Sequence, residues 1–324
     1  MKRFLINILK FLCIFLISAM LLVSVDYFFI GNQHLGNYQA SLIDKAARYR
    51  SLQGPKIVLL GNSNLAFGMD SKMLSEATGM EVVNMGLHGG LGNAFNERMI
   101  TLGEINEGDI VILFPHTYSD DDTIEDPALA LITLEKHRDL WKLVRPKDIY
   151  GIIKAYPDYF KDCLMYKFTK EDDNIPEETT CYSRSAFNEY GDNVRRIDGD
   201  DSFVFYPGSV RIPEVNETFT NRINELNRYV EERGAHLLIA GCPIGEGEFT
   251  PDPAVFDEVE EELVNKVDCD VISHLTDYLI PYERFYDTNG HLDAEGARIR
   301  TKQLIRDLTK WMEADDSASD RRSN

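Results

Sequence analysis

The most conspicuous pattern along the chain is an unbroken apolar one. Residues 11–25, FLCIFLISAMLLVSV, carry no charge, with residues 4–9, apolar but for Asn7, before them and Tyr27-Phe28-Phe29-Ile30 after them. Such a segment is long enough to cross a hydrocarbon core of about 30 Å. Lys10 can snorkel to the near interface, and the aromatic cluster at 27–29 suits the far one. No small-x-small pair follows Val25, as a cleavage site would need, and Cys13 follows Phe11-Leu12 instead of the small residues of a lipoprotein signal. The expectation is a retained signal anchor over 1–30, with positive residues inside and the C-terminal bulk outside the cytoplasm.

Beyond the anchor the periodicity changes. An amphipathic helix is predicted at 39–50, within a membrane-proximal linker of 31–54. KIVLL at 56–60 then reads as a strand ending in Gly61-Asn62-Ser63-Asn64. A helix at 71–78, stopped by Gly79, leads to a strand at 81–84 and the glycine-rich run Gly86–Gly92. A helix at 94–102 and the strand DIVILF at 109–114, broken by Pro115, complete the first half. The rhythm resumes with helix 219–233, strand 236–240, helix 254–266, strand 270–273 and helix 294–312. Strands alternating with helices at this spacing predict an α/β domain over 55–312 with a parallel, doubly wound sheet. Between the halves, 119–213 is rich in Asp, Tyr and Pro, with helical pieces at 129–143 and 146–167. It is expected to be a largely helical insertion above the C-terminal edge of the sheet. The polar tail 313–324 is predicted to be disordered.

Charge sharpens this picture. The 324 residues hold 34 Lys+Arg against 54 Asp+Glu, a net charge of −20. That balance argues against a nucleic-acid partner, which needs clustered Lys and Arg. Residues 1–30 carry +2, so the remainder carries −22. Cys163, Cys181, Cys242 and Cys269 lie outside the anchor, and none shows C-x-x-C spacing. If disulfides form, Cys163 with Cys181 and Cys242 with Cys269 is the preferred pairing. Four buried thiols are the alternative.

Candidate chemistry sits at the strand ends, where open parallel sheets place their sites. Ser63 follows the first strand on a turn leading toward a helix, which would expose its hydroxyl beside backbone N–H groups. Leu65 stands where the second Gly of a nucleophile elbow would be. Near the other end, Asp287-Thr288-Asn289-Gly290-His291 sets a carboxylate four residues from an imidazole, close enough for Asp287 to fix the tautomer of His291. A metal reading would use Asp287, His291 and Asp293 with a further ligand, but no H-E-x-x-H motif accompanies them. The 86–92 run lacks the Lys-Ser/Thr of a phosphate-binding loop, so no cofactor is expected.

Taken in order, Gly61-Asn62-Ser63, Asn84-x-Gly86 and Asp287…His291 resemble the blocks of the SGNH/GDSL hydrolase superfamily. The chain looks closest to its membrane-anchored extracytoplasmic members, of the teichoic acid D-alanyl transfer and exopolysaccharide acetyl-transfer type. The resemblance implies a three-layer, flavodoxin-like sheet of about five strands. It implies a serine esterase or O-acyltransferase working on acylated envelope carbohydrate or polymer, with a membrane-bound O-acyltransferase as a partner. Ser63 would be the nucleophile, His291 its base and Asp287 the residue orienting that base. The N–H groups of Ser63 and Gly86 would stabilise the oxyanion. The alternative is a non-catalytic SGNH-like module that binds glycan or assists such a transferase. Asn62 stands where the first block commonly has Asp, and Asp287 is four rather than three residues before the His. Pro115-His116-Thr117-Tyr118 replaces the third block's Gly-x-Asn-Asp, leaving His116, Tyr118, Asn64, Asn84 and His88 to supply the missing donor.

Overall fold

The apolar runs marked as strands lie side by side in one parallel sheet. The computed structural model describes residues 1–30, 32–119, 122–169, 180–195, 214–246 and 254–323. In chain order the elements are α1 (Lys2–Val25), α2 (Ser41–Ser51), β1 (Lys56–Gly61), α3 (Ser63–Phe67), α4 (Ser71–Thr78), β2 (Glu81–Asn84), α5 (Asn93–Arg98), β3 (Ile110–Phe114) and α6 (Pro127–Leu134). There follow α7 (Ile149–Thr169), α8 (Glu217–Glu231), β4 (His236–Ile239), β5 (Ile244–Gly245), α9 (Ala254–Lys266), β6 (Asp270–Val271), β7 (Leu279–Ile280) and α10 (Ala294–Ser323). The main sheet runs β2-β1-β3-β4-β6 with every pairing parallel. The strand order reverses between β1 and β3, which opens a crevice at their C-terminal ends, the usual ligand position in such sheets. β5 and β7 pair separately.

Every residue of β1 is buried, and successive side chains feed opposite cores. Val58 and Leu60 join Tyr49, Phe95 and Ile223 from α2, α5 and α8. Ile57 and Leu59 join Leu74 of α4 with Leu304 and Leu308 of α10. Burial on both faces is why the strand reads as a continuous apolar run instead of an alternating one.

Helix α1 is long and apolar enough to span a bilayer. Its most apolar stretch has a mean hydropathy of 2.6 and none of it is buried.

Two expectations need correction. The helix predicted over 129–143 stops at Leu134, because Glu135 turns away to accept the N–H groups of Gln33 at 2.7 Å and His34 at 3.1 Å. Lys136 then takes a left-handed φ of 42°. Helix α10 runs on to Ser323 where a disordered tail was expected; 313–323 contains no Gly or Pro to stop it. Of the two alternatives for the cysteines the free thiols hold, all five being unpaired, so the conditional pairings Cys163–Cys181 and Cys242–Cys269 are not made. Cys163 lies 3.8 Å from His34 Nε2, and Cys242 donates to the Pro115 carbonyl at 3.4 Å. Of the expected insertion, 120–121, 170–179 and 196–213 lie outside the described residues.

Within the described part of the insertion, Asp148 anchors the start of α7 to Arg98 of α5 through a buried ion pair at 2.6 Å. Burial alone would raise the Asp148 pKa. The Arg145 N–H, the Arg98 guanidinium and the Ile124 N–H outweigh it and hold the carboxyl below its ordinary range. The stabilisation is therefore complete at neutral pH and fades as pH falls from about 4 through the depressed folded value. The Asp148→Asn variant should be less stable than the parent in urea at neutral pH, with the gap closing in acid. A gap that ignores pH would assign the loss to packing alone.

Candidate active site

Strand β1 ends at Gly61 and passes directly into α3. Asn62 caps that helix, its side-chain oxygen accepting the Asn64 N–H at 2.9 Å. Ser63 is the first helical residue and is half-buried at the C-terminal end of the sheet.

This turn is held from the far end of the chain. Arg300 of α10, wholly buried, donates from Nη1 to the Asn64 carbonyl at 2.7 Å and from Nη2 to the Gly241 carbonyl at 3.3 Å. Its guanidinium lies 4.8 Å from the centre of the Phe114 ring. Gly68 makes the approach feasible, since a Cβ there would stand 2.6 Å from Nη1.

The loop before α10 supplies the other half. The Thr288 hydroxyl accepts the N–H groups of Gly290 and His291, both at 3.1 Å, and folds the loop tightly. That fold brings Asp287 Oδ1 to 2.7 Å from His291 Nδ1, so the four-residue spacing still makes the contact. A carboxylate only accepts, which puts the ring proton on Nδ1 and leaves Nε2 as an acceptor. Tyr182 donates its hydroxyl to Asp287 Oδ2, and the Tyr182 hydroxyl oxygen is also 3.5 Å from His291 Nδ1. Burial first, then its contact with Asp287, keeps the Tyr182 phenol protonated well above its ordinary range.

The two halves meet through Phe67. The His291 ring stacks on it with centroids 4.1 Å apart and planes 6° from parallel. Phe67 lies one turn along α3 from Ser63, on the same face of the helix. Gly290 also packs against Asn64, with only 3.9 Å between a Cβ built on Gly290 and the Cβ of Asn64. Among the described residues Ser63 Oγ has no hydrogen-bond partner, the imidazole included. In unliganded sites such contacts are commonly long and tighten only when substrate binds.

The second block is more committed than its spacing suggested. Asn84 donates to the Leu65 carbonyl at 3.2 Å and to Asp192 at 2.8 Å, and its Oδ1 accepts the Gly86 N–H at 2.8 Å. The Gly86 N–H expected at an oxyanion is thus already engaged. A Cβ on Gly86 would stand 2.6 Å from the Ala66 nitrogen, so this loop packs directly on α3.

Of the residues considered for the missing donor, Asn84 is consumed in that network. Tyr118 is buried edge-on against Phe219, and Asn64 donates to Cys242 Sγ at 3.3 Å. His116 is exposed just past β3. In His88, Nδ1 accepts the Gly90 N–H at 2.9 Å, which assigns the proton of the neutral ring to Nε2. Burial, and then the neighbouring His291, lowers the His88 pKa, so at neutral pH the ring is an uncharged donor.

Asp293 does not join the dyad; it accepts the Gly296 N–H at 2.6 Å at the start of α10. Among the described residues the one group with metal-ligand chemistry lies elsewhere. There His34, Glu135 and Cys163 bring buried ligand atoms within 4.8 Å of one another. Glu135 there fastens the loop that follows α1.

Sequence reasoning missed Tyr182, Asp192, Phe67 and Arg300. Each acts across a long separation, and no local motif marks it. Comparison with protein-family models, curated proteins and solved structures gave no match for this chain.

Proposed function

We propose that this chain is a serine-dependent ester hydrolase or O-acyltransferase of the SGNH type. In this reading α1 anchors it, the α/β domain lies outside the cytoplasm, and the substrate is an acyl ester of envelope glycan or polymer. The observation that carries the reading is the Asp287–His291 contact at 2.7 Å, packed through Phe67 onto the short helix that begins with Ser63. The order Ser63 after β1, Asn84-Met85-Gly86 after β2 and the Asp/His loop before the last helix supports it.

Ser63 Oγ attacks the acyl carbonyl while His291 Nε2 takes its proton. Asp287 keeps the other ring nitrogen protonated and stabilises the imidazolium as it forms. Collapse of the tetrahedral intermediate breaks the ester C–O bond, and the departing alcohol takes the proton from His291. Water or a sugar hydroxyl then attacks the acyl-serine with His291 as base again, giving hydrolysis or transfer. The Ser63 N–H and the His88 Nε2–H are the donors assigned to the oxyanion, each worth about 3 kcal/mol when well placed.

One observation favours a second reading, a non-catalytic glycan-binding or accessory protein. The Gly86 N–H is already bound to Asn84. Treating the full-length protein with a fluorophosphonate probe separates the two. The expected result is an adduct on Ser63 by mass spectrometry, missing in Ser63→Ala and slowed in His291→Gln. A folded parent chain that stays unlabelled and leaves p-nitrophenyl acetate intact would favour the second reading.

A further inference from the structure

Helix α7 carries an apolar stripe on its outer side. Ile149, Tyr150 and Ile153 near its start and Met165 and Phe168 near its end are exposed, while Phe160 and Leu164 between them turn toward the core. Tyr150 is 79 % exposed, Ile153 66 % and Phe168 78 %. Another face, Ile152, Tyr159 and Cys163, is the buried one. Single exposed apolar residues are ordinary, but a row of them along one helix marks an interaction surface.

Two further observations identify what it meets. First, the helix is fastened to the end of the apolar span. Lys167 Nζ donates to the Phe29 carbonyl and to that of Ile30 at 3.2 Å, and the Tyr156 hydroxyl donates to Asp26 Oδ2 at 3.1 Å. The stripe therefore starts beside the turn of 26–30, where Phe28 and Phe29 are themselves 75 % and 71 % exposed. Second, the charge on this helix runs against that of the domain. Lys154 and Lys161 border the stripe, and the helix totals +1 within a region of −22. Apolar side chains flanked by lysines suit the boundary between acyl chains and headgroups.

We infer that α7 lies in the interface of the bilayer that α1 crosses, giving the domain a second lipid contact. The inference rests on reading α1 as a membrane span, and the experiment keeps the two apart. The chain has two Trp residues, Trp141 and Trp311. Trp311 lies on α10 in the opposite layer, bonded to Asp270. Full-length Trp141→Phe/Trp311→Phe protein with either Tyr150→Trp or Phe168→Trp is reconstituted in vesicles of phosphatidylcholine with a minor share of phosphatidylglycerol. Trp141→Phe alone keeps Trp311 as the reference. Replacing the lipid with its acyl-brominated form is expected to quench both reporters by roughly half and to leave Trp311 bright. Reporters quenched no more than Trp311, in protein that floats with the vesicles and resists carbonate, would overturn the α7 contact and leave the span intact. Blue-shifted but unquenched reporters would overturn it in favour of a protein partner. Protein that does not float would overturn both readings.

Discussion

Changing Asp287 to Asn is expected to lower acyl-ester turnover by about 10⁴-fold while leaving the fold intact. The carboxylate can only accept a hydrogen bond, so it holds the proton on His291 Nδ1 and leaves Nε2 an acceptor, which in the proposed reaction takes the proton of Ser63. An amide turned to donate toward Nδ1 reverses that assignment. Nε2 then carries the proton, and the base is lost without any atom moving far. Tyr182→Phe removes one hydrogen bond to the same carboxylate and leaves the dyad in place, so its loss should be nearer tenfold. Turnover of p-nitrophenyl acetate, read beside the thermal midpoint of each variant, checks both. A fall of less than about tenfold in Asp287→Asn would remove the dyad from the mechanism.

The second large effect is on stability. Arg222 of α8 grips Glu97 of α5 through two hydrogen bonds, at 2.5 and 3.1 Å, with both side chains almost fully buried. Arg222→Met takes the guanidinium away from the buried Glu97 carboxylate, and breaking a buried pair by removing one partner costs about 3–5 kcal/mol. The pair borders a cavity of about 190 Å³ that also touches Arg98, Arg145 and Tyr229, through which water can reach the carboxylate. The lower end is therefore expected, about 3 kcal/mol, or roughly 10 °C in the melting midpoint. Arg222→Met/Glu97→Leu should recover most of the loss, because the penalty belongs to the buried carboxylate that has lost its guanidinium and not to the missing bridge. Equal midpoints for the single and double variants would refute that account.

The sheet was legible in the sequence wherever burial on both faces forced a run of apolar residues. KIVLL, the 81–84 strand and DIVILF all lie within a residue or so of where that pattern puts them. β5 and β7 are two residues each, too short for any period to register. The halt of α6 at Leu134 was equally hidden, since the reason lies a hundred residues earlier in the N–H groups of Gln33 and His34. Local preference yielded there to a distant partner.

At the site, Asp287 and His291 could be read together because they share one loop. Ser63 could be read because it stands at a strand end. Tyr182 could not, being 105 residues from the carboxylate it serves. The fate of Gly86 was out of reach for a different reason. Spacing names a backbone N–H, but not whether Asn84, two residues earlier, has already claimed it.

Arg300 ties its side chain to the carbonyl of Asn64, 236 residues before it in the chain. A ribosome makes Ser63 early and the last helix at the very end. Until α10 exists, the turn that carries the serine hydroxyl lacks the grip of Arg300, and His291 has only just been made. On the proposed function, growing chains and products truncated before α10 should thus be chemically silent toward esters, with the hydroxyl made reactive only in the finished molecule.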